Sequence, residues 1–200
     1  MDDSGSRPIR AFVAIELPSQ IHADISRIIE LINHQNITRL RTIKPGSAHI
    51  TIEFIGSMQS ARIPCLTKAI EETVAGMKQF NVSIDKFRLH PSSSDPRFAY
   101  FEVGRSNQLL ELKLAVSNAC KQFGVKADSL SWFPHVTMAR IPRTKTRSER
   151  RYMGERLKSI PDFCKTVLVS QFSIMSSDLG KSGPTYNILK RIHLFPKRSI

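Results

Sequence analysis

The sequence predicts an α+β fold made of two similar lobes. Three observations favour it: predicted helices are separated by pairs of strands, 200 residues with 40% hydrophobic content suit one domain or two small lobes, and one short pattern occurs twice. That pattern, "HITI" at 49–52 and "HVTM" at 135–138, recurs 86 residues apart, each time after a predicted helix. The repeat indicates that the two halves of the chain are built alike.

The first half contains strands and helices in alternation. "IRAFVAIEL" at 9–17 alternates and is rich in β-branched residues, which is typical of a strand. Isoleucines at helical spacing then follow Pro18. The remaining elements predicted here are a short strand at 39–44, the "HITI" strand ending at Gly56, and a helix over 60–79.

The second half repeats the alternation with different lengths. A helix from Ser106 to Phe123 buries leucines on one face and ends at Gly124. Around it we predict strands at 81–89 and 97–103, the "HVTM" strand, a helix at 147–158, and closing strands at 164–177 and 185–195. Residues 1–8 are polar, so we expect a disordered tail followed by a single bilobal domain over 9–200.

The net charge of +13 points to a polyanionic partner, and the positive charge is concentrated in one segment. Residues 140–158 carry eight lysines or arginines against two glutamates. No apolar run approaches the roughly 18 residues needed to cross a bilayer, and the N-terminus does not resemble a signal peptide. We therefore expect a cytoplasmic protein with no membrane partner. We also expect it to be monomeric.

The repeated motif places an imidazole beside a hydroxyl. Side chains alternate across a strand, so His49 and Thr51 share one face, and His135 and Thr137 share one face of the other strand. A single His-x-Thr strand is usually structural, but two copies on apolar strands favour a site. If the strands meet across a groove, two imidazoles and two hydroxyls surround one small space.

Such a group of residues suits the opening of a cyclic phosphodiester. One histidine can deprotonate water and the other can protonate the departing oxygen, since the unperturbed imidazole pKa is about 6.5. Threonine hydroxyls can donate to the non-bridging oxygens. No metal is required, and a zinc site is less well supported because no histidine lies four residues from another.

These stretches resemble a known family. "HITI" and "HVTM", together with "RAFVAIELP", "FPHVTMAR" and "GPTYNIL" at 183–189, are similar to the sequence marks of the two-histidine phosphoesterases, in particular the RNA 2',3'-cyclic phosphodiesterases, also called 2'-5' RNA ligases. The resemblance runs from residue 10 to about 195. It implies two lobes, each an antiparallel sheet with helices outside, facing across a central groove.

The resemblance also implies roles for the motif residues. His49 would be the proton donor and His135 the proton acceptor, with Thr51 and Thr137 binding phosphate. The reaction would hydrolyse an RNA 2',3'-cyclic phosphate end to a 2'-phosphomonoester without a cofactor. With a 5'-hydroxyl RNA in place of water, the same site would carry out 2'-5' RNA ligation. Two alternatives stay open: a substrate such as ADP-ribose cyclic phosphate, or a non-catalytic RNA-binding module.

Three further positions carry specific expectations. The family has an arginine at the position of Arg140, but strict alternation would point Arg140 away from the groove, so a bulge or strand end must redirect it before it can bind substrate. Phe54 occupies the same offset after His49, and we predict it to be a core residue. Ile43 stands where many relatives have an aromatic residue, which removes a base-stacking ring from that side.

Overall fold

The computed structural model describes residues 7–126, 132–142, 144–180 and 183–196, which form nine β-strands and four α-helices. The strands are β1 (Pro8–Glu16), β2 (Arg41–Thr42), β3 (His49–Gln59), β4 (Phe80–His90), β5 (Phe98–Val103), β6 (His135–Arg140), β7 (Lys165–Val169), β8 (Gln171–Gly180) and β9 (Gly183–His193). The helices are α1 (His22–Asn33), α2 (Ile63–Thr73), α3 (Asn107–Lys121) and α4 (Arg147–Leu157). The predicted α+β class is confirmed.

The strands form one continuous sheet with two halves. Its path is β7-β4-β5-β6-β3-β1-β8-β9, with β2 paired to β6, and the pairings of the named strands are antiparallel. Each half of the path contributes four strands, and these halves are the two predicted lobes. They meet where β3 pairs with β6, at Ile50 opposite Val136. The two motif strands are therefore neighbours at the centre of the molecule.

The helices cover the apolar face of this sheet. Four isoleucines of α1 are buried, at positions 25, 28, 29 and 32, as their helical spacing predicts. α2 packs on α3, and α3 packs on β3 and β4. Ile50 and Val136 are fully buried in the same core, so the opposite faces of β3 and β6, which carry the histidines and threonines, turn away from it.

Helix ends follow local sequence signals. Ser106 caps α3 by accepting a hydrogen bond from the Leu109 N–H at 3.1 Å. At α4, Thr146 accepts from the Glu149 N–H at 3.2 Å, and the Glu149 carboxylate accepts from the Thr146 N–H at 2.7 Å, which completes a capping box. The capping box fixes the start of α4, the helix that carries four of the eight basic residues of the segment 140–158.

Two predicted strand boundaries are wrong. The strand predicted at 164–177 is two strands, because the chain crosses at Ser170 from β7, which pairs with β4, to β8, which pairs with β1. β3 does not stop at Gly56, which takes a φ of 79° within the strand and lets pairing continue to Gln59. Of the predicted tail, residues 1–6 lie outside the described residues, and β1 begins at Pro8.

Candidate active site

Four motif side chains converge on the open face where β3 meets β6. The Ile50–Val136 pair sets the antiparallel register, which brings His49 beside Thr137 and Thr51 beside His135. All four are half-buried. The two histidines are then diagonal neighbours, whose Cα atoms lie roughly 7–8 Å apart in a regular antiparallel ladder. This spacing leaves room for one phosphate between two imidazoles.

Both imidazoles are oriented by the same backbone contact. His49 Nδ1 lies 2.8 Å from the Ser47 carbonyl oxygen, and His135 Nδ1 lies 3.0 Å from the Phe133 carbonyl oxygen. Because a carbonyl oxygen only accepts, Nδ1 must carry the proton in both rings. Nε2 is then the nitrogen of each ring that can gain or lose a proton.

Aromatic rings surround each histidine. The ring centroids of Phe12 and Tyr186 lie 5.3 and 5.0 Å from that of His49. The Phe133 ring stacks on His135 at 4.6 Å, and Tyr100 meets His135 edge-on at 5.5 Å. Sequence reasoning missed most of these rings because they come from separate strands.

His90 belongs to the same cluster, although the sequence gives it no partner. Its ring stacks on Phe98 at 4.9 Å and on Phe133 at 5.4 Å. A cleft of about 360 Å³ opens beside this group, lined in part by Tyr100, Arg105 and Asp85. The His135 side of the groove therefore has stacking surfaces with charged residues at their edge.

The surroundings of the imidazoles favour their neutral forms. Burial lowers the pKa of His49, the bond to Ser47 opposes this, the positive charges of His135 and Arg140 lower it further, and the Glu16 carboxylate raises it. Burial also lowers the pKa of His135, again opposed by a backbone bond and reinforced by nearby positive charge. Each ring can thus accept a proton near neutral pH.

A β-bulge turns Arg140 toward the groove. Tyr100 pairs with Thr137 and Ala99 pairs with Ala139, so Met138 is an extra residue in β6. Arg140 is exposed, and its charge lowers the pKa values of both motif histidines. This is the redirection that strict alternation of β6 could not provide.

The prediction that Phe54 is a core residue is wrong, for a related reason. Val13 pairs with Glu53 and Ala14 pairs with Thr51, so Ile52 is an extra residue in β3. The bulge turns Glu53 inward and leaves Phe54 63% exposed, with its ring centroid 6.5 Å from that of Phe12. Phe54 and Arg140 therefore take equivalent places on the two lobes. Ile43 packs against the core.

A buried ion pair lies behind Thr51. Lys113 Nζ is 2.8 Å from Glu53 Oε2, and the Ser117 hydroxyl donates to the same oxygen. Lys113 also lies 5.6 Å from the centroid of the Trp132 ring, whose Nε1–H donates to the Thr51 carbonyl oxygen at 3.1 Å. The cluster joins α3 to β3 and to the segment that leads into β6.

Some basic side chains of the segment 140–158 form contacts within the protein. Arg150 is buried, pairs with Asp95 and donates to the Lys145 carbonyl oxygen, while Lys145 pairs with Glu149 at 2.8 Å. Arg147 and Arg151 are exposed on α4. Arg143 lies outside the described residues. The segment therefore offers fewer free cations than its composition indicates.

The described residues contain neither a metal-binding cluster nor a membrane-spanning helix. No group of three or more histidine, cysteine, aspartate or glutamate side chains there is placed to hold a metal ion. In the same part of the chain, no helix combines the length and apolar character needed to span a membrane.

Comparison with known proteins identifies similar chains over nearly the whole length. A family model described as the 2'-5' RNA ligase superfamily matches residues 17–180. Two curated relatives carry the name RNA 2',3'-cyclic phosphodiesterase. The protein from Methanothermobacter thermautotrophicus is 20% identical and covers 93% of this chain and 99% of its own. The protein from Thermotoga maritima is 24% identical and covers 90% and 93%.

Solved structures share the fold. The protein TT0787 of Thermus thermophilus superposes with a TM-score of 0.71 at 19% identity, covering 95% of this chain and all of its own. LigT of E. coli, solved with 3'-AMP, superposes with a TM-score of 0.66 at 21% identity, covering 94% and 99%. The two-lobed architecture is therefore that of known proteins.

Proposed function

This chain belongs to the 2'-5' RNA ligase superfamily, and on that premise we propose that it hydrolyses RNA 2',3'-cyclic phosphate ends to 2'-phosphomonoesters. The observation that carries the proposal is the matched pair of imidazoles, each tied through Nδ1 to a carbonyl two residues earlier. The names of the curated relatives support the same substrate. The acid–base chemistry uses side chains alone and needs no metal or nucleotide cofactor.

The proposed reaction is a single in-line displacement. His135 Nε2 removes a proton from water as the water oxygen attacks phosphorus, and His49 Nε2–H gives its proton to the 3' oxygen as the P–O3' bond breaks. The 2' ester remains, so the product is a 2'-phosphomonoester with a free 3' hydroxyl. His49 ends neutral and His135 ends protonated, and proton exchange with solvent restores both.

The remaining site residues bind the reacting phosphate. Thr51 and Thr137 donate hydrogen bonds to its non-bridging oxygens, where negative charge grows in the transition state. Arg140, on the groove side of the β6 bulge, pairs with the same charge or with the adjacent ribose. The bound phosphate in turn favours a protonated His49, which offsets the effect of burial on that ring.

RNA is the favoured substrate class because of the positive charge of the segment that follows the second motif. Arg147 and Arg151 are exposed on α4 and add positive charge beyond Arg140 in the sequence, which a small cyclic nucleotide would not need. We propose that residues 9–200 act as one bilobal, monomeric catalytic unit. A 5'-hydroxyl RNA in place of water would attack the same cyclic phosphate, giving its proton to His135 as His49 protonates the departing 3' oxygen, and so would form a 2'-5' linkage.

The test uses an oligonucleotide with a 2',3'-cyclic phosphate end, in chelator, with the product identified by phosphorus NMR. Replacing His49 or His135 with Ala should lower turnover by about 10²–10⁴-fold because each supplies one proton transfer. His34→Ala, at an exposed position after α1, is the matched control and should keep wild-type turnover. A 3'-phosphomonoester product, or faster hydrolysis of ADP-ribose cyclic phosphate, would contradict the proposal.

A substrate with a different leaving group shows which histidine is the acid and which is the base. In 3'-deoxyadenosine 2'-(4-nitrophenyl phosphate), nitrophenolate replaces the 3' oxygen and departs without a proton. His49→Ala should then retain most of the wild-type rate, while His135→Ala should remain slow. The reverse pattern would exchange the two roles.

A further inference from the structure

Each motif histidine lies opposite a glutamate on the neighbouring strand. Glu16 of β1 pairs with His49 of β3, and Glu102 of β5 pairs with His135 of β6. Directly opposed residues point to the same face of a sheet, with Cβ atoms about 4.5–5.5 Å apart. The two lobes thus place a carboxylate at an equivalent position beside each imidazole.

The two carboxylates differ in their partners. Glu16 Oε1 accepts a hydrogen bond from the Ser173 hydroxyl at 2.6 Å and lies 3.5 Å from Arg191 Nε. Ser173 is fully buried, so this contact fixes the Glu16 side chain against β8. Glu102 is more exposed, and its Oε1 lies 3.3 Å from Arg88 Nε. Both carboxylates have an arginine partner, but Glu16 is also held by a buried hydroxyl and is less exposed than Glu102.

The charges that reach the two imidazoles differ accordingly. At His49, Glu16 from β1 opposes the positive charges of His135 and Arg140 from β6. At His135, the positive charges of Arg140 and His90 disfavour protonation, and the opposed Glu102 carboxylate is paired with Arg88. From β9, Tyr186 adds only a neutral phenol to the His49 side. Burial still lowers the pKa of His49 overall, and the charge of Glu16 opposes that shift.

We propose that Glu16 holds the proton on His49 and so makes His49 the acid and His135 the base. Glu16 is a positioning residue, since it acts through His49 and does not touch the substrate. The inference rests on the proposed hydrolysis for its kinetic consequence, but the asymmetry of charge exists in the free protein. The charge of Glu16 also favours the return of a proton to His49, the histidine beside the carboxylate, after each turnover.

The direct test is NMR titration of the histidine rings in the free protein. Glu16→Gln keeps an acceptor for Ser173 and removes the charge, so the His49 midpoint should fall by about half to one pH unit, as expected for opposite unit charges on directly paired residues in a wet groove. The His135 midpoint should stay within about 0.2 units. Glu102→Gln, the matched control, should move neither ring. Spectra of His49→Gln and His135→Gln assign the signals.

A second variant, with the opposite expected effect on the His49 midpoint, distinguishes the charge of Glu16 from its role in packing. Arg191→Gln removes the cation beside Glu16, so it should raise the His49 midpoint. A purely structural role for Glu16 would give downward or absent shifts in both variants. A His49 shift below about 0.2 units in Glu16→Gln, or an equal shift of His135, would overturn the proposal.

The kinetic test then uses the cyclic phosphate and the nitrophenyl ester in parallel. Glu16→Gln should lower kcat/KM on the cyclic phosphate by about 3–10-fold at neutral pH, the factor that corresponds to the shift of half to one unit, and move the alkaline limb to lower pH. On the nitrophenyl ester the same variant should match wild type. Equal losses on both substrates would overturn the assignment, whereas a wild-type protein without hydrolytic activity would refute only the proposed function.

Discussion

Removal of Lys113 should destabilise the protein far more than removal of a surface lysine. In Lys113→Met the Glu53 carboxylate, only 1% exposed, would keep the Ser117 hydroxyl but lose its cation at 2.8 Å. An unpaired buried charge of this kind costs about 3–5 kcal/mol of the free energy of unfolding. For a chain of this size each kcal/mol lowers Tm by about 2–4 °C, so the expected loss is roughly 6–20 °C.

The assay follows urea unfolding through the fluorescence of Trp132, the single tryptophan of the sequence, which lies over Lys113. Lys68→Met is the control, because Lys68 and Glu72 form an exposed ion pair at 4.0 Å on α2 that should contribute less than about 0.5 kcal/mol. If the two variants unfold at the same urea concentration with equal m-values, the buried pair does not stabilise β3 as argued. Replacing Glu53 and Lys113 together with leucine should recover most of the loss.

Three other outcomes are expected, two from single substitutions and one from a change of pH. Gly154→Ala should cost about 1–3 kcal/mol, since an added Cβ would overlap a backbone carbonyl oxygen of the loop before β5, while Gly46→Ala should be nearly neutral in the same urea assay. Phe54→Ala should cost less than about 1 kcal/mol, and a loss of 3–5 kcal/mol would instead indicate a core position. The free energy of unfolding should fall as pH drops below about 6.5, because burial lowers the pKa values of His49 and His135 and the unfolded rings take up protons first. Replacing both with Gln should flatten this slope, and an unchanged slope would contradict it.

Much of the fold was predictable because its signals are local. Apolar spacing located α1, α2 and α3, and alternation located most strands, including both motif strands. The break at Ser170 was missed because residues on either side of it are equally strand-like, and only their pairing with different lobes separates β7 from β8. The lobes themselves were predictable from the repeated motif.

The redirected side chains of the site were harder to predict than its motif residues. The family resemblance raised Arg140 as a substrate contact, but alternation argued against it until the bulge at Met138 was seen. A β-bulge on β3 likewise exposes Phe54 and buries Glu53. A bulge is specified by pairing with a neighbouring strand, so neither sequence segment shows it alone.

The sequence by itself determined which residues share a face, because alternation along a strand is a property of a few consecutive residues. It therefore placed His49 beside Thr51 and His135 beside Thr137. Only the tertiary structure decided what stands opposite them: the register of β3 on β6 brings the histidines together, and the register of β1 on β3 puts Glu16 beside one of them. These contacts join residues far apart in the chain, and their geometry depends on how whole strands pair.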